Sequence, residues 1–131
     1  MDDWRIQQFY TTCLNKEVQW GVDDCLHSAG TLSQIIKGYD PIAAIRHQWV
    51  DEKSATEFEL KFGRTRIRAA LAIAKMLGYK RIDPADAVVG DMGVVRCDDA
   101  MPMSCLTPDG WFCRAPKGFL ILGKAVAAWR I

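Results

Sequence analysis

Trp20-Gly21-Val22-Asp23-Asp24-Cys25 runs directly into the apolar-spaced segment Leu26 to Ile36. An aromatic residue and a glycine precede two aspartates, and an aspartate side chain accepts hydrogen bonds from the unpaired N–H groups of a helix start. Cys25 then falls in the first turn. Unpaired N–H groups at that end favour a thiolate over a thiol, so Cys25 is the candidate nucleophile. The helix is expected to stop at Lys37-Gly38, where glycine suits the left-handed position after a helix. Cys25, Ala29, Leu32, Ile35 and Ile36 make its inner face. Gly30 inside it costs about 1 kcal/mol relative to alanine, which points to a close packing contact.

Working outward, Asp3 to Leu14 places Trp4, Ile6, Phe9, Tyr10, Cys13 and Leu14 on roughly one helical face. Asp40-Pro41 opens a short third helix to about Gln48, with proline at its first position. Ser54-Ala55-Thr56-Glu57 reads as a capping box for a fourth helix, ending at Phe62-Gly63. Thr65 to Leu77 reads as a fifth. After Asp83-Pro84-Ala85-Asp86 the character changes to short strands: Met92 to Cys97, Met103 to Thr107, Trp111 to Ala115 and Phe119 to Leu122. Pro108-Asp109-Gly110 and Pro116-Lys117-Gly118 are the turns between the last three. Lys124 to Trp129 reads as one helical turn. Helices followed by an antiparallel meander define an α+β fold. With no repeat and no linker, residues 1–131 are expected to form one domain.

The chain has 131 residues, half of them hydrophobic, and a net charge of +1. That balance argues against a nucleic-acid partner held by bulk electrostatics. No apolar run reaches the roughly 18 residues of a membrane span. The start, Met1-Asp2-Asp3-Trp4-Arg5, is acidic and polar, unlike a secretory signal. The cysteines, Cys13, Cys25, Cys97, Cys105 and Cys113, number five and are widely spaced, which suits a reducing cytoplasm better than a disulfide framework. Metal sites favour tighter Cys-x-x-Cys pairs, so no metal or cofactor is expected.

Asp24-Cys25 at the head of a core helix after Trp20-Gly21, and Val89-Gly90-Asp91 leading into a strand from Met92 to Arg96, together resemble the NlpC-type cell-wall cysteine peptidases. Those enzymes have a papain-like fold. An Asp-Cys pair heads their helix, and a Gly-Asp turn starts the strand before the one carrying the histidine. The chain is more closely similar to a small family of about this length from proteobacterial genomes and phage tail gene clusters. Its members share Trp-Gly-x-x-Asp-Cys, a Gly-Asp before the sheet, and an Ala-Trp-Arg-Ile-like end. Here those are Trp20 to Cys25, Gly90-Asp91 and Ala128-Trp129-Arg130-Ile131, which span nearly the whole chain.

One departure alters what this resemblance implies. NlpC-type enzymes begin their second strand with the histidine that serves as base. The corresponding segment, Ala100-Met101-Pro102-Met103-Ser104-Cys105, has none. Met103 stands in its place, and a thioether takes no proton. His27, two residues from Cys25, points about 200° away on a shared helix, and His47 has no evident path to the thiol. The resemblance therefore implies a phage or phage-derived tail-tip component, structural or assembly-related, on a degenerate peptidase scaffold. It would be made in the bacterial cytoplasm and carried in the virion. Its partners would be hub, distal tail or fibre subunits, with peptidoglycan a further one.

The rival reading is an active peptidoglycan endopeptidase with Cys25 as nucleophile, and a third is an assembly factor that leaves the particle. Trp20, Asp24, Met103 and Trp111 are the candidate binding residues. Trp111 and Phe112 make an apolar patch with Met101 and Met103 if exposed, or core if not. Of Asp23 and Asp24, one is expected to cap the helix and the other to be solvated. Arg64, Arg66, Arg68, Lys75, Lys80 and Arg81 precede the acidic set Asp83, Asp86, Asp91, Asp98 and Asp99, a surface of both signs suited to docking.

Overall fold

The structure is a computed structural model that describes residues 3–131. Of the acidic N-terminal stretch, Met1 and Asp2 lie outside the described residues. Helix α1 (Trp4–Cys13) is capped by Asp3 and buries Ile6, Tyr10 and Cys13. Helix α2 (Cys25–Lys37) is capped by Asp24 and ends at Gly38, which is left-handed with φ 89°. The spacing of α2's small and apolar residues lets it lie directly on the sheet: Ala29, Gly30 and Leu32 are buried, and Gly30 leaves room for the Ile42 side chain.

Helix α3 (Glu52–Leu60) starts earlier than expected. Asp51 is the cap, accepting from Ser54 N, while Ser54 Oγ accepts from Asp51 N. The capping box is real but three residues upstream of its expected place, because aspartate is at least as good a cap as serine and sits where the chain enters. Helix α4 (Arg66–Met76) is capped by Thr65.

The segment Asp40 to Gln48 forms successive turns and not the expected helix. Asp40 takes the Ile42 N–H and the Arg46 guanidinium, while Ile42 and Ile45 are buried. His47 then adopts a left-handed backbone, φ 64°, which no continuous helix allows.

Six strands follow: β1 (Lys80–Ile82), β2 (Met92–Val94), β3 (Met103–Thr107), β4 (Gly110–Arg114), β5 (Phe119–Leu122) and β6 (Ala127–Arg130). They form one antiparallel sheet in the order β1-β6-β2-β3-β4-β5. The meander from β2 to β5 lies where the sequence predicts it. The Lys124 to Trp129 segment does not form a helical turn: its last residues are β6, an interior strand between β1 and β2. Alanine favours helix, yet pairing on both sides satisfies this backbone better than one isolated turn could. β1, three residues with two charges, was not among the expected strands.

Four residues, Gly123 to Val126, link β5 to β6 across β4, β3 and β2. Five extended Cα steps reach about 17 Å, whereas four flat strand spacings need about 19 Å. The sheet therefore curls. Its concave face encloses Val95, Trp111, Cys113 and Ala128, with Ala125 of the link packed on them. Its other face carries the main core with α1 and α2, where Met92, Cys105 and Phe112 meet Ile6, Tyr10 and Leu32. The result is an α+β architecture with helices on one face of the sheet.

Asp91, fully buried just before β2, ties the C-terminal end of β6 to the turn before β2 and to the end of α2. It accepts from Val88 N, Arg130 Nε and Ile131 N, and Lys37 Nζ lies 3.3 Å away. It belongs to the interior and not to the acidic surface expected of it. Among the described residues, no helix is long and apolar enough to cross a membrane.

Candidate functional site

The carboxylate of Asp24 is 2 % exposed and takes donors from three directions. Oδ1 accepts the His27 N–H at 3.1 Å, the capping bond that starts α2. Oδ2 accepts Gly21 N–H at 2.7 Å and the Trp49 indole N–H at 2.8 Å. The His27 ring, also buried, places Nδ1 3.0 Å from both oxygens. Burial by itself raises a carboxyl's pKa, but here the bonds from His27 and Gly21 outweigh it, and the pKa lies below its ordinary value.

His27 Nε2 accepts the His47 backbone N–H at 2.8 Å. A ring nitrogen that accepts carries no proton, so the proton of the neutral ring sits on Nδ1, facing Asp24. His47 in turn places Nδ1 against Gly21 O. The buried His27 ring is thus committed to a cluster with Asp24 and Trp49, and the exposed His47 is tied to its edge through Gly21. Gly21 is obligatory there: φ is 83°, and a Cβ would collide with Trp49 O.

Cys25 leaves the same helix start in another direction. Its Sγ donates to Arg114 O at 3.6 Å. Burial is the largest influence on the thiol and pushes its pKa up to about 11, against a smaller downward pull from the Arg66 guanidinium. The thiolate bias expected from the helix terminus is overturned: desolvation disfavours the charged form more than the nearby N–H groups favour it.

Asp23 is likewise not free in solvent. It pairs with Lys16 Nζ at 2.7 Å and accepts Gln19 N–H. The buried Arg114 guanidinium lies 3.6 Å from its carboxylate and donates to the Asp23 and Lys16 carbonyls. Arg114 therefore fastens the loop before α2 to β4.

Cys25 opens onto a narrow apolar cleft with a cavity volume of about 70 Å³. Trp20, Asp24 and Met103, three of the residues singled out from sequence, line it together with Cys25. Phe58 of α3, Ile73 of α4 and Trp129 of β6 supply further apolar wall. Glu59 and Arg66, paired at 3.0 Å and each about one-third exposed, mark the mouth. Trp111, the fourth candidate, is on the opposite, concave face of the sheet and 4 % exposed; Phe112 is fully buried beneath α1. They form no surface patch, because β4 is covered on both faces.

Trp49 and Arg114 were not among the residues singled out from sequence, and His27 was weighed only as a base for Cys25. A buried indole needs an acceptor, but nothing local ties Trp49 to a carboxylate 25 residues away. Cys13, Cys105 and Cys113 are buried, and every cysteine is free. Among the described residues, no group of three or more His, Cys, Asp and Glu side chains could hold a metal.

These features define a helix-on-sheet α+β domain with a cysteine at the head of an apolar cleft. The chain belongs to the family described as a domain of unknown function (DUF6950), which it matches over residues 1–131. Neither curated proteins nor solved structures gave a match.

Proposed function

We propose that this domain is a binding module on a papain-like, NlpC-type scaffold that no longer performs peptide hydrolysis. The apolar cleft at Cys25 holds a segment of a neighbouring protein. In the setting implied by the sequence resemblance, the neighbours are phage tail-tip subunits, and the protein is a structural or assembly component of that tip. The scaffold assignment draws support from helix α2, headed by Asp24-Cys25, packing on an antiparallel sheet whose strand β2 follows Gly90-Asp91.

One observation carries the reading. Cys25 donates to a backbone carbonyl, while His27 and His47 are tied to Asp24 and Gly21. A cysteine nucleophile needs a base within hydrogen-bond reach. Met103, lining the cleft on β3, adds surface for apolar contact and no proton acceptor.

The test is incubation of the intact protein and its Cys25→Ala variant with purified peptidoglycan. Equal, background release of soluble fragments is expected. Release by the parent protein that the variant lacks would overturn the reading in favour of a cell-wall endopeptidase with Cys25 as nucleophile.

A further inference from the structure

The chain's two histidines meet ring to ring. The His27 and His47 centroids are 5.2 Å apart and the planes 24° from parallel. The buried His27 ring gives Nδ1 to Asp24, and its Nε2 accepts the His47 backbone N–H at 2.8 Å. A proton added at Nε2 sets two donors face to face. It also places like charge beside the exposed His47 ring when that ring is charged. The charged and titratable groups facing His27 are Asp24, which caps its own helix, and His47 on the packed turn. Asp40 of that turn acts on it as well, itself paired with Arg46 at 2.7 Å.

The bond to Nε2 restrains a strained segment. His47 is left-handed, with φ 64°, a conformation that costs a residue other than glycine. Two residues on, Trp49 makes a T-shaped contact with His27 at 4.9 Å, and its indole N–H reaches Asp24. Trp49 packs in turn on Phe58 of α3, with centroids 4.8 Å apart. Helix α3 fully buries only Ala55, so the Trp49–Phe58 contact is a large part of what holds it down. Trp49, Ala55 and Phe58 all line the cleft. An element with so little buried surface opens ahead of the rest of a fold.

We propose that His27 is an acid-sensitive latch on the cleft: protonation at Nε2 expels the His47 N–H, the turn carrying His47 to Val50 relaxes, and Trp49 and α3 move off the cleft, which widens. Neutral His27 keeps the wall closed. The proton comes from solvent and returns to it when the pH rises, so the change is reversible. The latch stands on the hydrogen-bond geometry of His27; its consequence, admission of a partner segment in acid, rests on the reading of the cleft as a binding site.

The experiment is an NMR titration of the full chain, isotopically labelled, from about pH 8 to 5, where histidines commonly change charge. Imidazole nitrogen shifts report protonation of His27. Exchange of the His47, Gln48 and Val50 amides and of the Trp49 indole N–H, corrected for the intrinsic effect of pH, reports opening. As His27 protonates, these four should lose protection by up to about tenfold per pH unit, the dependence for one proton taken up on opening. The Ala55 methyl signal should shift with them, while β2 and β3 stay protected. His27→Gln offers an acceptor that does not titrate and should flatten the response. His47→Asn, which tolerates a left-handed backbone, should retain it, and keeps the test decisive if His27→Gln does not fold. The proposal is overturned if His27 stays neutral to the acid end or protonates without local opening. It is equally overturned if β2 and β3 open in step, if the response survives His27→Gln, or if His47→Asn abolishes it. Release of peptidoglycan fragments that depends on Cys25 would overturn the cleft reading and leave these readouts unchanged.

Discussion

His47 donates its backbone N–H to Nε2 of His27 at 2.8 Å. That bond fixes the imidazole so that its proton faces Asp24, and it closes a ring of contacts through Trp49 and Gly21. The chain's two histidines thus serve the architecture of the α2 N-terminus and not the thiol one residue beyond its cap.

Replacing His27 by alanine should destabilise the fold severely. It leaves the Asp24 carboxylate short of a partner and the His47 N–H without an acceptor. The expected loss is about 3–5 kcal/mol, the range for leaving a buried charge short of its partner. Chemical denaturation monitored by tryptophan fluorescence measures it; a loss below about 1 kcal/mol, typical of a surface change, would contradict the assignment.

Gly21→Ala should be nearly as damaging although it adds one methyl group. The residue is left-handed, and its new Cβ would meet the Trp49 carbonyl. Strain and the displaced backbone together should cost about 2–4 kcal/mol. Gly38→Ala is the control: it shares the positive φ but has no atom within 4 Å of the added carbon, so only the conformational cost of about 1 kcal/mol should appear.

The pH dependence follows from Asp24, whose native pKa is held below its unfolded value. The unfolded chain then binds more protons in the acid range, so this contribution is complete above the unfolded pKa, about 4. It is lost as pH falls through the lower native value. Stability of the parent protein should fall more steeply than that of Asp24→Asn as pH drops below about 4. Parallel slopes in urea titrations at several pH values would count against the assignment.

Cys25 should behave as a sluggish thiol. With its pKa raised to about 11, from an ordinary 9.0, its thiolate fraction at neutral pH is about a hundredfold below that of a free cysteine. Alkylation by iodoacetamide, followed by mass spectrometry of the modified peptide, should be slow at pH 7 and quicken towards pH 11. Rapid modification at pH 6 would instead indicate an activated thiol.

Asp91→Ala should loosen the sheet where the start of β2 meets the end of β6. The substitution strips partners from Val88 N–H, Ile131 N–H, Arg130 and Lys37, at a cost of about 3–5 kcal/mol. Arg130→Ala removes one half-exposed partner and should cost about 1 kcal/mol or less. Hydrogen exchange at β2 and β6 would report the difference directly, with faster exchange in the Asp91 variant.

Local chemistry was legible wherever it acts within a few residues. Asp24 before an apolar-spaced run and Gly38 after it marked α2 closely, and Thr65 marked α4. Turn residues separated β3, β4 and β5. Reading failed where a distant partner decides. Ala127 and Ala128 look helical in isolation, yet strands on both sides claim their backbone. Asp40 to Gln48 looks helical until Asp40 takes the Arg46 side chain and His47 turns left-handed.

The amino-acid sequence alone determined an α+β order of elements, a cysteine in the first turn of the core helix, and no histidine in the segment from Ala100 to Cys105. The tertiary structure decided what surrounds that cysteine. Whether helix N–H groups or desolvation governs a thiol depends on what packs over it, and Arg114 lies 89 residues away along the chain. Caps and turns act over a few bonds and leave their mark on neighbouring residues; burial and hydrogen-bond partners arise only when remote segments meet.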